Sequence, residues 1–178
     1  PLQEYKLTWW RSECGAVMQE SFLFSDTIAR NIAVSDEEPE LERIRHAARV
    51  ANIADYIEAL PLGYNTMIGQ DGQGISQGQR QRILIARVVY KNPQFVFLDE
   101  ATNALDANNE RGITENLSSF YKGKTVIVVA HRLSTVRYAD QIVVLDAGKI
   151  VEVGTHEELT AKRGKYYTLV KNQLELGN

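Results

Sequence analysis

Apolar positions along this chain follow two different rhythms. From Glu40 onward Leu41, Ile44, Ala47, Ala48, Ala51, Ala54, Ile57 and Leu60 fall on one face at helical spacing. That spacing predicts a helix, ended by Pro61 and Gly63. Ahead of it, Arg11 to Gln19 reads as a short strand, SECGAVMQ, leading into an apolar loop, ESFLFSDT. Asp26 or Thr27 then caps a first helical turn toward IARNIA, and the acidic run Ser35 to Pro39 breaks the pattern. A glycine-rich stretch, GQDGQG, follows PLGYNT.

From Ser76 the rhythm changes to strands alternating with helices. Ser76 and Gln79 make a capping box at the head of SQGQRQRILIARVVY. FVFL, Phe95 to Leu98, is a continuous apolar run, the texture of a parallel strand buried on both faces. ANNERGITENLSSF reads as a helix with Asp106 near its cap, and TVIVVA, Thr125 to Ala130, as a second buried strand. A short helix around STVRYAD follows, then a hairpin of QIVVLD and KIVEVG about Ala147 and Gly148. THEEL opens a final helix, with Thr155 and Glu158 as another capping box. The alternation predicts an α/β fold with a parallel sheet core, the first half forming an inserted helical subdomain.

Length and composition narrow this further. The 178 residues fit one domain, or one with a small inserted lobe, and 44% hydrophobic content supplies a sizeable core and argues against disorder. A net charge of −3 points away from a broad nucleic-acid surface, so no nucleic-acid partner is expected, and Arg80, Arg82 and Arg87 read as charges on a solvated helix face. Cys14, the single cysteine, excludes an intrachain disulfide framework and reads as a buried, inert thiol. No run approaches the roughly 18 apolar residues of a membrane helix, and no signal peptide opens the chain.

The chemistry gathers around FVFLDE. A buried strand ending in Asp99 and Glu100 places two carboxylates at the carboxyl end of a sheet, where open α/β folds bind ligands. Unpaired, those charges cost several kcal/mol, so a cation or a reacting group is expected there. An aspartate in this position can hold Mg²⁺, and a neighbouring acid can polarise an attacking water; the rival reading is a plain helix cap. A phosphate loop of the form GxxxxGK followed by Ser or Thr is absent from the sequence. Gly123-Lys124-Thr125 supplies the ending, but Ser118 stands where the first glycine belongs and a strand follows instead of a helix. Upstream, Ser76, Gly78 and Gln79 cluster at a helix start, where free N–H groups and the helix dipole favour a phosphate.

Together these segments resemble the nucleotide-binding domain of an ABC ATPase of the exporter kind. ISQGQ is similar to the family's LSGGQ signature, FVFLDE to its Walker B strand, and NALD, Asn103 to Asp106, to its D-loop. His131 in VIVVAHRLSTV matches the switch histidine, and Gln19 in VMQESFLFSDTIARNI matches the Q-loop. TMIGQDG, Thr66 to Gly72, matches the TxxGxxG segment of exporters, and DAGKIVEVGTHEEL is equally family-like. The resemblance covers the whole chain in the family's order. Three residues depart from it: Gln77 where the commonest signature has Gly, Ser21 in place of a frequent proline, and Met67 at a usually acidic position. The chain also opens past the family's Walker A helix and the following strand. The resemblance therefore implies a P-loop NTPase-like domain whose N-terminal part is missing, about 20–90 being the helical subdomain with Q-loop and signature and 91–178 the α/β core.

The family match implies ATP and Mg²⁺ as cofactors, bound between two such domains paired head to tail. It implies that Asp99 organises Mg²⁺, Glu100 is the general base, and His131 contacts the γ-phosphate. It further implies that Gln19 senses Mg²⁺ and the water, Ser76, Gly78 and Gln79 close over ATP held by the opposite subunit, and Asp106 couples the two sites. The partners would be a second nucleotide-binding domain and the coupling helices of a transmembrane domain, at the cytoplasmic face of the plasma membrane. ATNALDANNE resembles exporters of peptides or bacteriocins. Phe22, Leu23 and Phe24 either fill the helical lobe or receive a coupling helix; Trp9 and Trp10 read as packing or surface residues and not as an adenine platform. Two other functions stay open here, a non-transport ABC ATPase and a pairing module without nucleotide binding of its own. Alone, the chain is expected to lack ATPase activity and to expose sheet surface prone to non-native association.

Overall fold

The structure, a computed structural model, describes residues 2–34, 36–69, 74–99, 107–129 and 136–176. It is an α/β chain that divides into two compact units, Pro1–Ile127 and Val128–Asn178. The larger unit opens with a 3-10 turn, Leu2–Glu4, then α1 (Leu7–Glu13), β1 (Cys14–Val17), β2 (Asp26–Thr27), α2 (Ile28–Ile32), α3 (Leu41–Val50) and α4 (Ala54–Glu58). β3 (Met67–Ile68), α5 (Gln77–Lys91), β4 (Phe95–Asp99), α6 (Ala107–Phe120) and β5 (Thr125–Val129) follow, the unit boundary falling inside β5. The smaller unit holds β6 (Ile142–Asp146), β7 (Lys149–Gly154), α7 (His156–Lys162) and α8 (Lys165–Leu176). Among the described residues no helix is long and apolar enough to cross a membrane.

Three strands, in the order β1-β4-β5, form the main sheet, and β1 runs parallel to β4 with Cys14 opposite Phe95 and Val17 opposite Leu98. Helix α5 lies across it and is the apolar centre of the unit. Ile83 and Ala86 are wholly inaccessible, and Ile85, Val88 and Val89 bound a small apolar cavity of about 10 Å³ with Val17, Val96 and Leu98. The opposite side of α5 meets α2 and α3 through the fully buried Ile28, Ile32, Ile44, Ala47 and Ala48. At the C-terminal end of α5 the Tyr90 hydroxyl donates to Asp36 at 2.5 Å while Arg43 stacks over the Tyr90 ring at 4.5 Å.

Several expectations change. The face from Leu41 to Leu60 is two helices, because Asn52 adopts φ +52° and ends α3 in a Schellman motif. Its N–H bonds the Arg49 carbonyl and the Ile53 N–H bonds the Ala48 carbonyl, both at 3.0 Å, and Leu41 is exposed. Arg11 to Glu13 belong to α1, so β1 begins only at Cys14. Cys14 is partly exposed, and burial pushes its thiol pKa up. β4 buries Val96 and Leu98 but leaves Phe95 and Phe97 half-covered, with Trp10 tilted on Phe95 at 4.8 Å; it is not buried on both faces. β5 is mostly exposed instead of buried, because it stands at the edge of the three-stranded sheet.

In the smaller unit the hairpin turns where expected. Ala147 (φ +47°) and Gly148 (φ +74°) both take the left-handed conformation that a two-residue type I′ turn requires. Thr155 caps α7 as expected, but α7 is not the final helix. α8 begins after Gly164, where the Glu152 carboxylate accepts the N–H groups of Lys165 (3.2 Å) and Tyr166 (2.8 Å). Ile142, Val144, Leu159, Tyr166 and Val170 form this unit's core, while Val143, Leu145, Ile150, Val151 and Val153 present apolar surface to solvent.

Truncating Ile83 to alanine removes three carbons from a site with no access to water, and chemical unfolding will show a loss of about 2–5 kcal/mol. The Tyr90 hydrogen bond, and then the Glu38 N–H and the Arg43 and Arg30 charges, hold the Asp36 carboxyl below its ordinary range against partial desolvation. A depressed carboxylate adds stability above its unfolded pKa, near 3.9, and loses it as pH falls through the folded value. Asp36→Asn will therefore flatten the acid limb of the stability–pH profile below about pH 4, read by denaturation at several pH values.

Candidate functional site

Parallel pairing sets the first part of the site. Val17 opposite Leu98 is the last registered pair, so Met18 and Gln19 leave β1 at the same carboxyl end of the sheet at which Asp99 ends β4. Neighbouring strands lie about 4.8 Å apart, which brings the start of the Gln19 loop close to Asp99. Gln19 is exposed and Asp99 half-buried. Reciprocal bonds hold the loop: the Met18 N–H donates to the Ser21 hydroxyl at 2.9 Å, and the Ser21 N–H to the Met18 carbonyl at 3.0 Å. Ser21, a departure from the family pattern, thus supplies the hydroxyl that closes the turn carrying Gln19. Glu100, Asp106 and His131 lie outside the described residues.

The second part is the head of α5. The Ser76 hydroxyl accepts the Gln79 N–H at 3.2 Å and the Gln79 Oε1 accepts the Ser76 N–H at 2.8 Å, the capping box read from the sequence. The first-turn N–H groups of Gln77 and Gly78 have no intrahelical acceptor. The Ser76 hydroxyl keeps a hydrogen to donate, and the Gln79 amide keeps its Nε2 donors. Gln77, another departure from the family pattern, points its side chain into solvent and leaves the packing of α5 unaffected. Ile85, the first α5 residue at the cavity against the sheet, is nine residues from Ser76, roughly 13 Å along the helix axis. The structure thus gathers Gln19 with Asp99 and holds Ser76, Gly78 and Gln79 as a separate group at the far end of α5.

The donor set bears on which ion the strand end suits. Among the described residues no three His, Cys, Asp or Glu side chains converge to hold a metal. Asp99, half-buried at the end of β4, suits Mg²⁺, which keeps several waters and takes one or two carboxylates plus phosphate oxygens.

A model of the ABC transporter family matches residues 1–103. The chain belongs to that family. It is 48% identical over 174 residues to an ATP-dependent lipid A-core flippase of Alkalilimnicola ehrlichii, covering 97% of this chain and 30% of that protein. Over 168 residues it is also 48% identical to the exotoxin translocation ATP-binding protein PaxB of Pasteurella aerogenes, covering 94% of this chain and 23% of that protein. Its fold superposes on a bacterial Atm1-family ABC exporter solved with ATP bound, with a TM-score of 0.89 at 41% identity over 93% of this chain and 29% of that one. The chain spans less than a third of the length of these relatives.

In this ABC transporter segment the two parts of the site are joined by residues the sequence reading missed. Asn31, the penultimate residue of α2, has no access to solvent. Its Nδ2 donates to the carbonyls of Phe24 (3.0 Å) and Thr27 (3.1 Å), and its Oδ1 accepts the Phe24 N–H at 2.8 Å. Arg87, expected on a solvated face with Arg80 and Arg82, is instead partly buried between α5 and this loop. Its Nε donates to the Asn31 carbonyl at 2.8 Å and its Nη1 to the Phe22 carbonyl at 3.2 Å. Burial pushes the Arg87 pKa down, but a guanidinium stays charged at neutral pH. Arg82 likewise reaches the Asn52 carbonyl at 3.2 Å, while Arg80 is exposed as expected. The one sequence signal was a polar Asn inside IARNIA.

Nearby, Phe22 is 61% and Phe24 44% exposed, in edge contact at 5.0 Å, and Leu23 packs on the core. The lobe is filled by Leu23 alone of the three; the two rings are surface. Trp9 is also a surface residue, stacked on Tyr5 at 4.8 Å.

Replacing Ser76 by alanine removes the cap and will lower stability by about 1 kcal/mol, whereas Ser76→Asp, which preserves an acceptor, will keep most of it. Thermal unfolding of the two variants checks this.

Proposed function

We propose that this chain is the larger part of the nucleotide-binding domain of an ABC exporter, in which ATP hydrolysis powers transport across a membrane. The carrying observation is the parallel β1–β4 register, which supports Gln19 and Asp99 acting at one carboxyl end of the sheet. On this reading residues of about 20–90 are the helical subdomain and 91–178 the α/β core. Asp99 would hold Mg²⁺, Glu100 would take a proton from the attacking water, and His131 would contact the γ-phosphate and position Glu100. Mg²⁺, when bound, offsets charge on the phosphate oxygens. Gln19 reports on that ion and water to the transmembrane partner.

Ser76, Gly78 and Gln79 serve a phosphate on a second domain paired head to tail, because the length of α5 carries them away from Asp99. Asp106 couples the two sites across that pair. The protein would work at the cytoplasmic face of the plasma membrane, with coupling helices of a transmembrane domain as its other partner. The chain on its own, without a phosphate loop, would not turn over ATP. Peptide or bacteriocin export is the cargo that ATNALDANNE suggests. Relatives named for lipid A-core flipping and for exotoxin translocation stand at equal identity and favour neither class.

In the intact protein, Glu100→Gln will lower kcat for ATP by about 100-fold or more with little change in KM, as expected for loss of a general base. Wild-type turnover in that variant would end the assignment of Glu100. His131→Ala will lower kcat in the same direction, measured by phosphate release.

A further inference from the structure

We infer that Asn31 and Arg87 form a polar clamp that fixes the spacing between the Gln19 loop and Ser76, and that both are positioning residues for ATP turnover. The inference rests on the ATPase reading above.

The clamp is a continuous mechanical path. Gln19 sits in a turn closed by the Met18–Ser21 bonds, and Phe22 follows that turn directly. The Phe22 carbonyl is held by Arg87 Nη1, and the Phe24 backbone by both ends of the Asn31 amide. Arg87 then closes on Asn31 twice, through Nε to its carbonyl at 2.8 Å and through Nη2 to its Oδ1 at 3.3 Å. From Arg87 to Ser76 the connection is one uninterrupted helix, three turns long, with no freedom of its own.

Only a planar fork can serve the Phe22 carbonyl, the Asn31 carbonyl and the Asn31 amide together. A lysine ammonium is a point charge on a flexible stem and loses that geometry while keeping the charge. A side chain wanted for filling alone would be apolar here, since burying a guanidinium is costly unless its donors are used. All three of its nitrogens donate here, one to the Phe22 carbonyl and two to Asn31, which itself holds the Phe24 backbone. Misplacement of a group by about 1 Å can cost on the order of 100-fold in rate, so a loosened clamp reaches the chemistry without touching it.

The test uses the intact protein and the variants Arg87→Lys and Asn31→Ala. Arg87→Lys keeps the charge and the stem and is the variant expected to stay folded if Asn31→Ala does not. The expected result is a fall in kcat for ATP of about tenfold or more with KM within about twofold. Spin labels on Glu20→Cys and Gln77→Cys, with Cys14 and every other cysteine of the intact protein replaced by serine, will show a distance distribution that broadens when Arg87 becomes lysine. Wild-type kcat in a folded Arg87→Lys protein overturns the inference, as does a lowered kcat with the distance distribution unchanged. Glu100→Gln separates the two levels. Turnover indifferent to Glu100→Gln removes the ATPase reading and the clamp with it, and turnover sensitive to Glu100→Gln but indifferent to Arg87→Lys removes the clamp alone.

Discussion

The close seating of α5 on β1 governs the geometry of the larger unit. Gly15, in the middle of β1, leaves no room for a side chain: a Cβ there would stand 2.7 Å from the Pro93 ring and 2.9 Å from a Val88 methyl. That contact fixes how deeply α5 lies on the sheet, and Pro93 fixes where the chain turns from α5 into β4. Burying Ile83, Leu84, Ile85, Val88 and Val89 then holds the helix down, at about 1.5–3 kcal/mol for each large side chain before unfolded-state compaction is discounted.

Two consequences follow for the chemistry. The parallel register sets Gln19 and Asp99 at one end of the sheet, because strands that run the same way end on the same side. Yet the same helix whose C-terminal half braces that end sends its N-terminus outward, so the phosphate-suited group at Ser76 belongs to a different place. On the proposed function, a single copy carries two unlike halves of a site. Such halves match when copies pair head to tail, which is the arrangement the proposed function requires.

Much of this was legible in the sequence wherever the determining forces are local. The capping boxes at Ser76 and Thr155 and the Ala147-Gly148 turn are short-range chemistry and fold as read, and of Asp26 and Thr27 it is Thr27 that caps α2. The break at Asn52 was also local, but a strong apolar face ran across it and masked the left-handed cap. What could not be read depends on distant partners. β5 has the composition of a buried strand and the position of an edge strand, and composition does not reveal position. α8 has its first N–H groups satisfied by Glu152, thirteen and fourteen residues earlier in the chain. Arg87 reads as one charge among three until the carbonyls of Phe22 and Asn31 are set beside it.

Among the described residues, the two units differ greatly in how much apolar material each encloses. The smaller one depends on Ile142, Val144, Leu159, Tyr166 and Val170, beneath a hairpin whose other apolar residues face water. Backbone amides in β6 and β7 should therefore exchange deuterium through openings far cheaper than those that release α5.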